Sequence, residues 1–355
     1  LGDVYKRQDL LNKYKEHIHI CCTSEDINNI AYSLMIKEGR DLLIYQANAL
    51  QRTMKSMGKK YKNIAMLSHT HGQPASPTTM GKEFINFYKR LDAQIDDLSN
   101  IKIKGKFNGA TGNYSAHSVT YPKVNWPNTM RKFVNSLKLE FNSHTTQIEP
   151  HDYIADLCHK INHINSILIG FSQDIWAYIS KNYFTQKNIK GEIGSSTMPH
   201  KINPINFENA EGNLGMSNAI SQYFANKLVI SRLQRDLSDS TVLRNIGLVY
   251  AYSIVAYKNI SLGLSKLDIN KQKINDDLDE CWEILAEPIQ MVARKYHISN
   301  SYEYLKKYTR GKKVDKGVIE KIITNLHIPE NEKSRLLELT PRKYIGYANK
   351  LCDVK

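Results

Sequence analysis

The sequence predicts an all-α protein: a long central helical bundle followed by a smaller helical C-terminal domain. Three observations carry that expectation. Apolar residues recur at alternating spacings of three and four, the clearest run being Ile154, Leu157, Ile161, Ile164, Leu168, Phe171, Ile175 and Tyr178. Period-two alternation, the mark of half-buried strands, is scarce. Gly-, Pro- and polar-rich segments fall only at a few junctions between these runs. A seven-residue apolar repeat favours helices packed nearly parallel at shallow crossing angles.

The elements follow in order. Thr23 and Asp26 form a capping-box pair ahead of Ile27, Ile30, Ala31 and Leu34, which starts the first long helix. After a turn at Ser76-Pro77, Met80, Phe84, Phe87, Leu91, Ile95 and Leu98 predict a second. The run from Ile154 to Tyr178 is a third, and further helices are expected from about Phe207 to Ser231 and from Ser240 to Leu264. Beyond Lys266 the apolar runs shorten and polar turns such as Arg310-Gly311-Lys312-Lys313 appear. The chain therefore divides into a bundle over 23–265 and a C-terminal domain over 266–355, with residues 1–22 ahead of both.

The 355 residues carry 49 Lys+Arg against 35 Asp+Glu, a formal charge of +14 with histidine neutral. That charge admits a nucleic-acid binder, an enzyme for a small polyanion, or a solvated lysine-rich surface, and composition does not choose among them. No stretch of about 18 apolar residues occurs, which excludes a transmembrane helix from the reading. The five scattered cysteines (Cys21, Cys22, Cys158, Cys281 and Cys352) argue against a disulfide framework and for reduced thiols in a cytoplasmic protein. The polar start, Leu1–Gln8, has no methionine and no signal-peptide core, and reads as an internal or foreign beginning.

Three segments interrupt the helices: 68–78 (SHTHGQPASPT), 104–115 (KGKFNGATGNYS) and 190–206 (KGEIGSSTMPHKINPIN). Loops on rigid helices are where chemistry is commonly placed. His69 and His71 flank Thr70, and either imidazole suits a general acid or base. Ser195 and Ser196 follow Gly191 and Gly194, with Lys201 a few residues on; a cation and oriented amides lower a serine's pKa. His159 and His163 stand one helical turn apart, but no third ligand is evident, and no metal is assigned. The basic stretch around Lys306–Lys313 reads as a solvated face, and no nucleic-acid role is assigned to it.

Gly194-Ser195-Ser196-Thr197-Met198-Pro199-His200-Lys201-Ile202-Asn203-Pro204 resembles the GSSxMPxKxNP signature of the fumarase/aspartase superfamily over eleven consecutive positions. The His-Thr-His-Gly-Gln-Pro segment and Thr145–Asp152 (TTQIEPHD) resemble two further signature regions, in the expected order. Within the superfamily, TSEDINN at 23–29, GKFNGATGNY at 105–114, FENAEGNLG at 207–215 and SRLQRDLSDSTVLRN at 231–245 are similar to the bacterial type of adenylosuccinate lyase. Argininosuccinate lyase, fumarase and aspartase are the rivals within catalysis, and TSEDINN and STVLRN argue against them. A basic helical scaffold or RNA-binding module that has lost activity is the rival outside it. The presence of Ser195, Lys201, Asn203 and His71 argues against that reading.

The resemblance implies a homotetramer whose active sites are each assembled from three subunits, without metal or organic cofactor. It implies β-elimination of fumarate from adenylosuccinate to give AMP, and from SAICAR to give AICAR. Ser195 would be the base at Cβ and His71 the acid at the departing nitrogen. Lys201 and Asn203 would hold the succinyl carboxylates, with Ser196 and Ile202 alongside. Thr23, Ser24, Gln147, Asn209, Arg235 and the run Ser240, Thr241, Val242, Leu243 and Arg244 would complete the substrate contacts, arginine suiting bidentate recognition of carboxylate or phosphate. Members of the family carry a further N-terminal domain ahead of TSEDINN. Residues 1–22 therefore read as its remnant, and a much lower activity than that of a longer form is expected.

Overall fold

A computed structural model of the chain describes residues 12–187, 198, 201–309, 311 and 314–354. Among the described residues five long helices dominate: α1 (Ser24–Lys60), α2 (Met80–Asn100), α3 (Asp152–Ser180), α4 (Ile205–Lys227) and α5 (Ile246–Ser265). The first three stand where the apolar repeats placed them. Shorter helices fill the C-terminal region, at Lys271–Glu280, Ala286–Lys295, Ser301–Thr309, Lys316–Thr324 and Glu330–Leu337. No described helix is long and apolar enough to cross a membrane.

Packing separates two compact units, and each long helix contributes one stretch to each of them. The first comprises the chain up to Asn48, Ala93–Ile169 and Ala210–Lys258. Its core is aliphatic, with Ile36 and Leu43 of α1, Leu98 of α2, Leu157, Ile161 and Ile164 of α3, Leu214 of α4 and Val249 of α5 all buried. A polar seam runs through that core. Asn165 donates to Ser217 Oγ at 3.1 Å and Ser253 Oγ at 3.0 Å, and Tyr257 donates to Asn165 Oδ1 at 2.9 Å. These bonds join α3, α4 and α5 in one axial register, because a slip would leave buried polar atoms unpaired.

The second unit comprises Ala49–Asp92, Gly170–Asn209 and Asn259–Lys355. Its bundle portion is aromatic. Tyr61, Phe84, Phe87, Phe171 and Phe184 meet in tilted and edge-on pairs, with centroids 5.1 to 6.2 Å apart. The ends of α1 and α2 approach so closely that a Cβ on Gly81 would lie 2.3 Å from the Gly58 carbonyl oxygen.

The structure departs from the sequence reading in three places. Segment 68–78 is largely a β-hairpin, with β1 (Ala65–Thr70) paired antiparallel to β2 (Gln73–Thr79) and a register shift between Met66 and Ser68. Two prolines in β2 hid it, since proline removes a ladder donor and is confined to open strand edges. Two further two-stranded pairings of two to three residues each accompany it, so the fold is predominantly helical with small sheets. The helix expected to reach Ser231 ends at Lys227. The one expected from Ser240 to Leu264 is two, Ser238–Leu243 and α5, with a break at Arg244-Asn245.

Candidate active site

In the first unit the sequence-predicted contacts gather around the start of α1. Its capping pair forms, with the Thr23 N–H donating to Asp26 Oδ2 at 3.0 Å. Asp26 does more than cap. It is wholly buried, and Oδ1 accepts from Lys106 Nζ at 2.8 Å and from the Asn108 N–H at 3.1 Å. The Gly109 N–H is 3.2 and 3.3 Å from its two oxygens. Lys106 is equally buried and also donates to the Gly109 carbonyl at 3.1 Å. Burial pushes the Lys106 ammonium below its ordinary pKa, and the Asp26 carboxylate pulls it back. Asn29 locks the same segment by pairing its amide with both backbone groups of Lys106, at 2.8 and 3.0 Å.

The turn that follows is clasped to the second signature segment. Asn108 Nδ2 donates to Thr145 Oγ1 at 2.8 Å, and Gln147 Nε2 donates to the Ala110 carbonyl at 3.1 Å. Gly112 has φ of 82°, and a Cβ there would lie 2.1 Å from the Thr145 carbonyl oxygen, so the close approach requires glycine.

A second chain of polar and charged side chains reaches the same region. The His151 N–H donates to Glu149 Oε2 at 2.7 Å, and His151 Nε2 lies 3.3 Å from Asp239 Oδ2. Arg235 then bridges Asp239, at 3.6 Å, to Glu25, at 3.2 Å, in the first turn of α1. Burial opposes the Asp239 charge, yet the His151 hydrogen bond and the Arg235 guanidinium hold its carboxyl below the usual range. Thr23, Ser24, Gln147 and Arg235 therefore sit on segments tied to one another by side-chain and backbone bonds. Ser240 and Thr241 lie on the short helix beside Asp239, with Arg244 exposed at its end. Val242 and Leu243 turn their side chains into the core and leave only main chain for a ligand.

The remaining predicted residues belong to the second unit. His71 occupies the tip of the hairpin. With Gly72 it forms the two-residue turn, both at positive φ (52° and 75°), the geometry of the tight turns that best match strand twist. Its side chain is exposed. His69, two residues earlier, has Nε2 3.1 Å from Lys181 Nζ. Burial, then the Lys181 charge, push its pKa down, which favours the neutral ring that can accept from the ammonium. The two histidines are thereby told apart, one engaged within the fold and the other open.

Lys201, Ile202 and Asn203 lead into α4, where the Ile202 carbonyl accepts from Gln186 Nε2 at 3.1 Å. Asn206 anchors the start of that helix by bonding Lys266 Nζ at 2.9 Å and Asn259 Oδ1 at 3.0 Å. Lys201 and Ile202 are exposed, as is Asn209 one turn into α4. Ser195 and Ser196 lie outside the described residues. His159 and His163 are exposed on α3, and among the described residues no group of three or more His, Cys, Asp or Glu is arranged to hold a metal.

Sequence reasoning missed Lys106, Asn29 and Asp239, and it took Asp26 for a cap alone. Their signal was confined to the motifs themselves, since nothing in a Lys-rich stretch marks one lysine as buried.

Residues 2–218 match the family described as "Lyase", and residues 231–345 match "Adenylosuccinate lyase C-terminal". The adenylosuccinate lyase of Buchnera aphidicola subsp. Schizaphis graminum is 56% identical over 344 residues, 97% of this chain and 75% of that protein. The Escherichia coli K12 adenylosuccinate lyase is 51% identical over 344 residues, again 97% of this chain and 75% of the relative. The chain thus spans about three quarters of the length of these relatives. Among solved structures, a 3-carboxy-cis,cis-muconate lactonizing enzyme from Pseudomonas putida superposes with a TM-score of 0.78 at 18% identity, covering 97% of this chain and 78% of the other. A fumarate lyase from Mesorhizobium sp. BNC1 gives 0.77 at 16% identity, covering 95% and 77%. At such identities the superposition speaks for the fold. The sequence relatives and the two family matches speak for more, and on them the chain belongs to the adenylosuccinate lyase family.

Proposed function

We propose that the chain cleaves a carbon–nitrogen bond of adenylosuccinate to release fumarate and AMP, and performs the same elimination on SAICAR. The observation that carries this reading is the 56% identity over nearly the whole chain to an adenylosuccinate lyase. Every residue assigned to the chemistry is also present in the sequence.

The proton to be removed sits on a carbon next to a carboxylate, so charge develops on that carboxylate as an aci-dianion. Cations and amide donors must meet it there. Ser195 takes the Cβ proton, with Lys201 and Asn203 holding the carboxylates and Ser196 and Ile202 beside them. His71 protonates the departing nitrogen. Its place at an exposed hairpin tip supports that role, because an acid at a leaving group must face the ligand and not the core. Arg235, Gln147, Thr23, Ser24, Asn209 and the Ser240–Arg244 stretch bind the remainder. Exposure of His71, Lys201 and Asn209 supports a homotetramer in which other copies of the chain complete each site.

The test is direct. Ultraviolet absorbance follows the loss of adenylosuccinate, and Ser195→Ala and His71→Ala should each lower kcat by about 10²–10⁴. Turnover unchanged in both variants would remove the assignment. Absent turnover with salt-sensitive RNA binding would favour a basic scaffold instead.

A further inference from the structure

We infer that the buried Asp26–Lys106 ion pair is a positioning element for the substrate edge made by Thr23, Ser24 and Gln147. The inference rests on the reading of those three residues as substrate contacts.

A buried ion pair is a poor way to gain stability, because desolvating both charges offsets their attraction. Well-packed apolar side chains would serve as well. What this pair supplies is a set of hydrogen bonds that ties two pieces of chain, the start of α1 and segment 106–109, to one carboxylate. Asp26 accepts from the Thr23 N–H, Lys106 Nζ and the Asn108 and Gly109 N–H groups. A carboxylate offers about four acceptor sites. All are taken.

Two consequences reach the predicted contacts. Thr23 is held at both ends by one residue, since its N–H donates to the Asp26 side chain and its carbonyl accepts the Asp26 N–H at 3.0 Å. Ser24 follows on the exposed side of the same turn. Downstream, the carboxylate fixes Gly109, and the next residue, Ala110, offers its carbonyl to the Gln147 amide at 3.1 Å. Lys106 closes the loop by bonding the Gly109 carbonyl, so the peptides on both sides of Gly109 are held. Neither Asp26 nor Lys106 reaches solvent, so they act through these neighbours and not on the ligand.

Steady-state kinetics with adenylosuccinate and thermal unfolding are measured on Lys106→Met, Asp26→Asn and the double variant, beside Thr23→Ala and Gln147→Ala. Lys106→Met strands a buried carboxylate, and the expected result is a lower Tm and a KM raised about tenfold, with kcat within threefold. The double variant buries no charge, so its Tm should return towards the parent value while KM stays raised. A merely structural pair would let both recover, and KM recovery in the double variant overturns the inference. If Lys106→Met does not fold, the double variant alone carries the test. A KM unmoved by Thr23→Ala and Gln147→Ala would instead remove the underlying contact assignment, and the positioning role with it.

Discussion

The two regions that hold the predicted site residues are built in opposite ways. Around the start of α1, two predicted contacts are backed by ion pairs: the fully buried Asp26 and Lys106 behind Thr23, and Glu25 and Asp239, the latter bonded by His151, behind Arg235. At the hairpin, His71 stands exposed on a two-residue turn whose only special requirement is positive φ. The first region is preorganised by a shell that costs desolvation and secures geometry. The second presents an exposed imidazole at low structural cost. Binding and chemistry should therefore respond differently to substitution.

The largest expected effect is at His71. His71→Ala should lower kcat by about 10²–10⁴ while Tm stays within experimental scatter, because an exposed turn residue carries little stability. A large loss of Tm would break the comparison from the hairpin side. Gly112→Ala should do the reverse. A Cβ at φ of 82° and 2.1 Å from a carbonyl oxygen forces the turn away from residue 145. The expected cost is about 1–3 kcal/mol of stability together with a raised KM, read by denaturant unfolding and kinetics.

A smaller effect separates the regions by pH. His117, buried against Trp126 and Tyr114 in the first unit, has its pKa pushed down, burial being the main cause. His69 in the second is pushed down by burial and then by Lys181. Each binds a proton more readily when unfolded, so each contributes stability above the unfolded pKa of about 6.5. That contribution is lost as pH falls from there through the folded value. Tm should drop between pH 7.5 and 5.5, and His117→Gln should flatten the drop more than His69→Gln, because His117 is 1% exposed whereas the His69 ring is only half-buried. Smallest is the salt response. If part of the +14 faces the ligand, kcat/KM should fall with ionic strength while Tm barely moves. A flat profile would assign that charge to the general surface.

Long helices were legible because packing writes them into the sequence: the three–four alternation from Ile154 to Tyr178 is a stripe of side chains that all became buried or nearly so within α3. The hairpin at 65–79 was not, because Pro74 and Pro77 mask strand character and only His71-Gly72 signals a turn. The break at Arg244-Asn245 was also hidden, since apolar periodicity continues across it from Leu243 to Ile246. For the candidate site, motif spacing singled out segments that the fold brings together at the start of α1. It said nothing of what holds them. Asp26 and Lys106 are 80 residues apart, and no local pattern announces that two charged side chains will bury each other.

The central claim is that this chain eliminates fumarate from adenylosuccinate through His71 and Ser195. It is tested most directly by quantifying fumarate and AMP released from adenylosuccinate by the parent chain, His71→Ala and Ser195→Ala, each checked for an unchanged Tm. The account predicts equal amounts of fumarate and AMP from the parent and a loss of about 10²–10⁴ in rate for each variant. Release at the parental rate by both folded variants would contradict it.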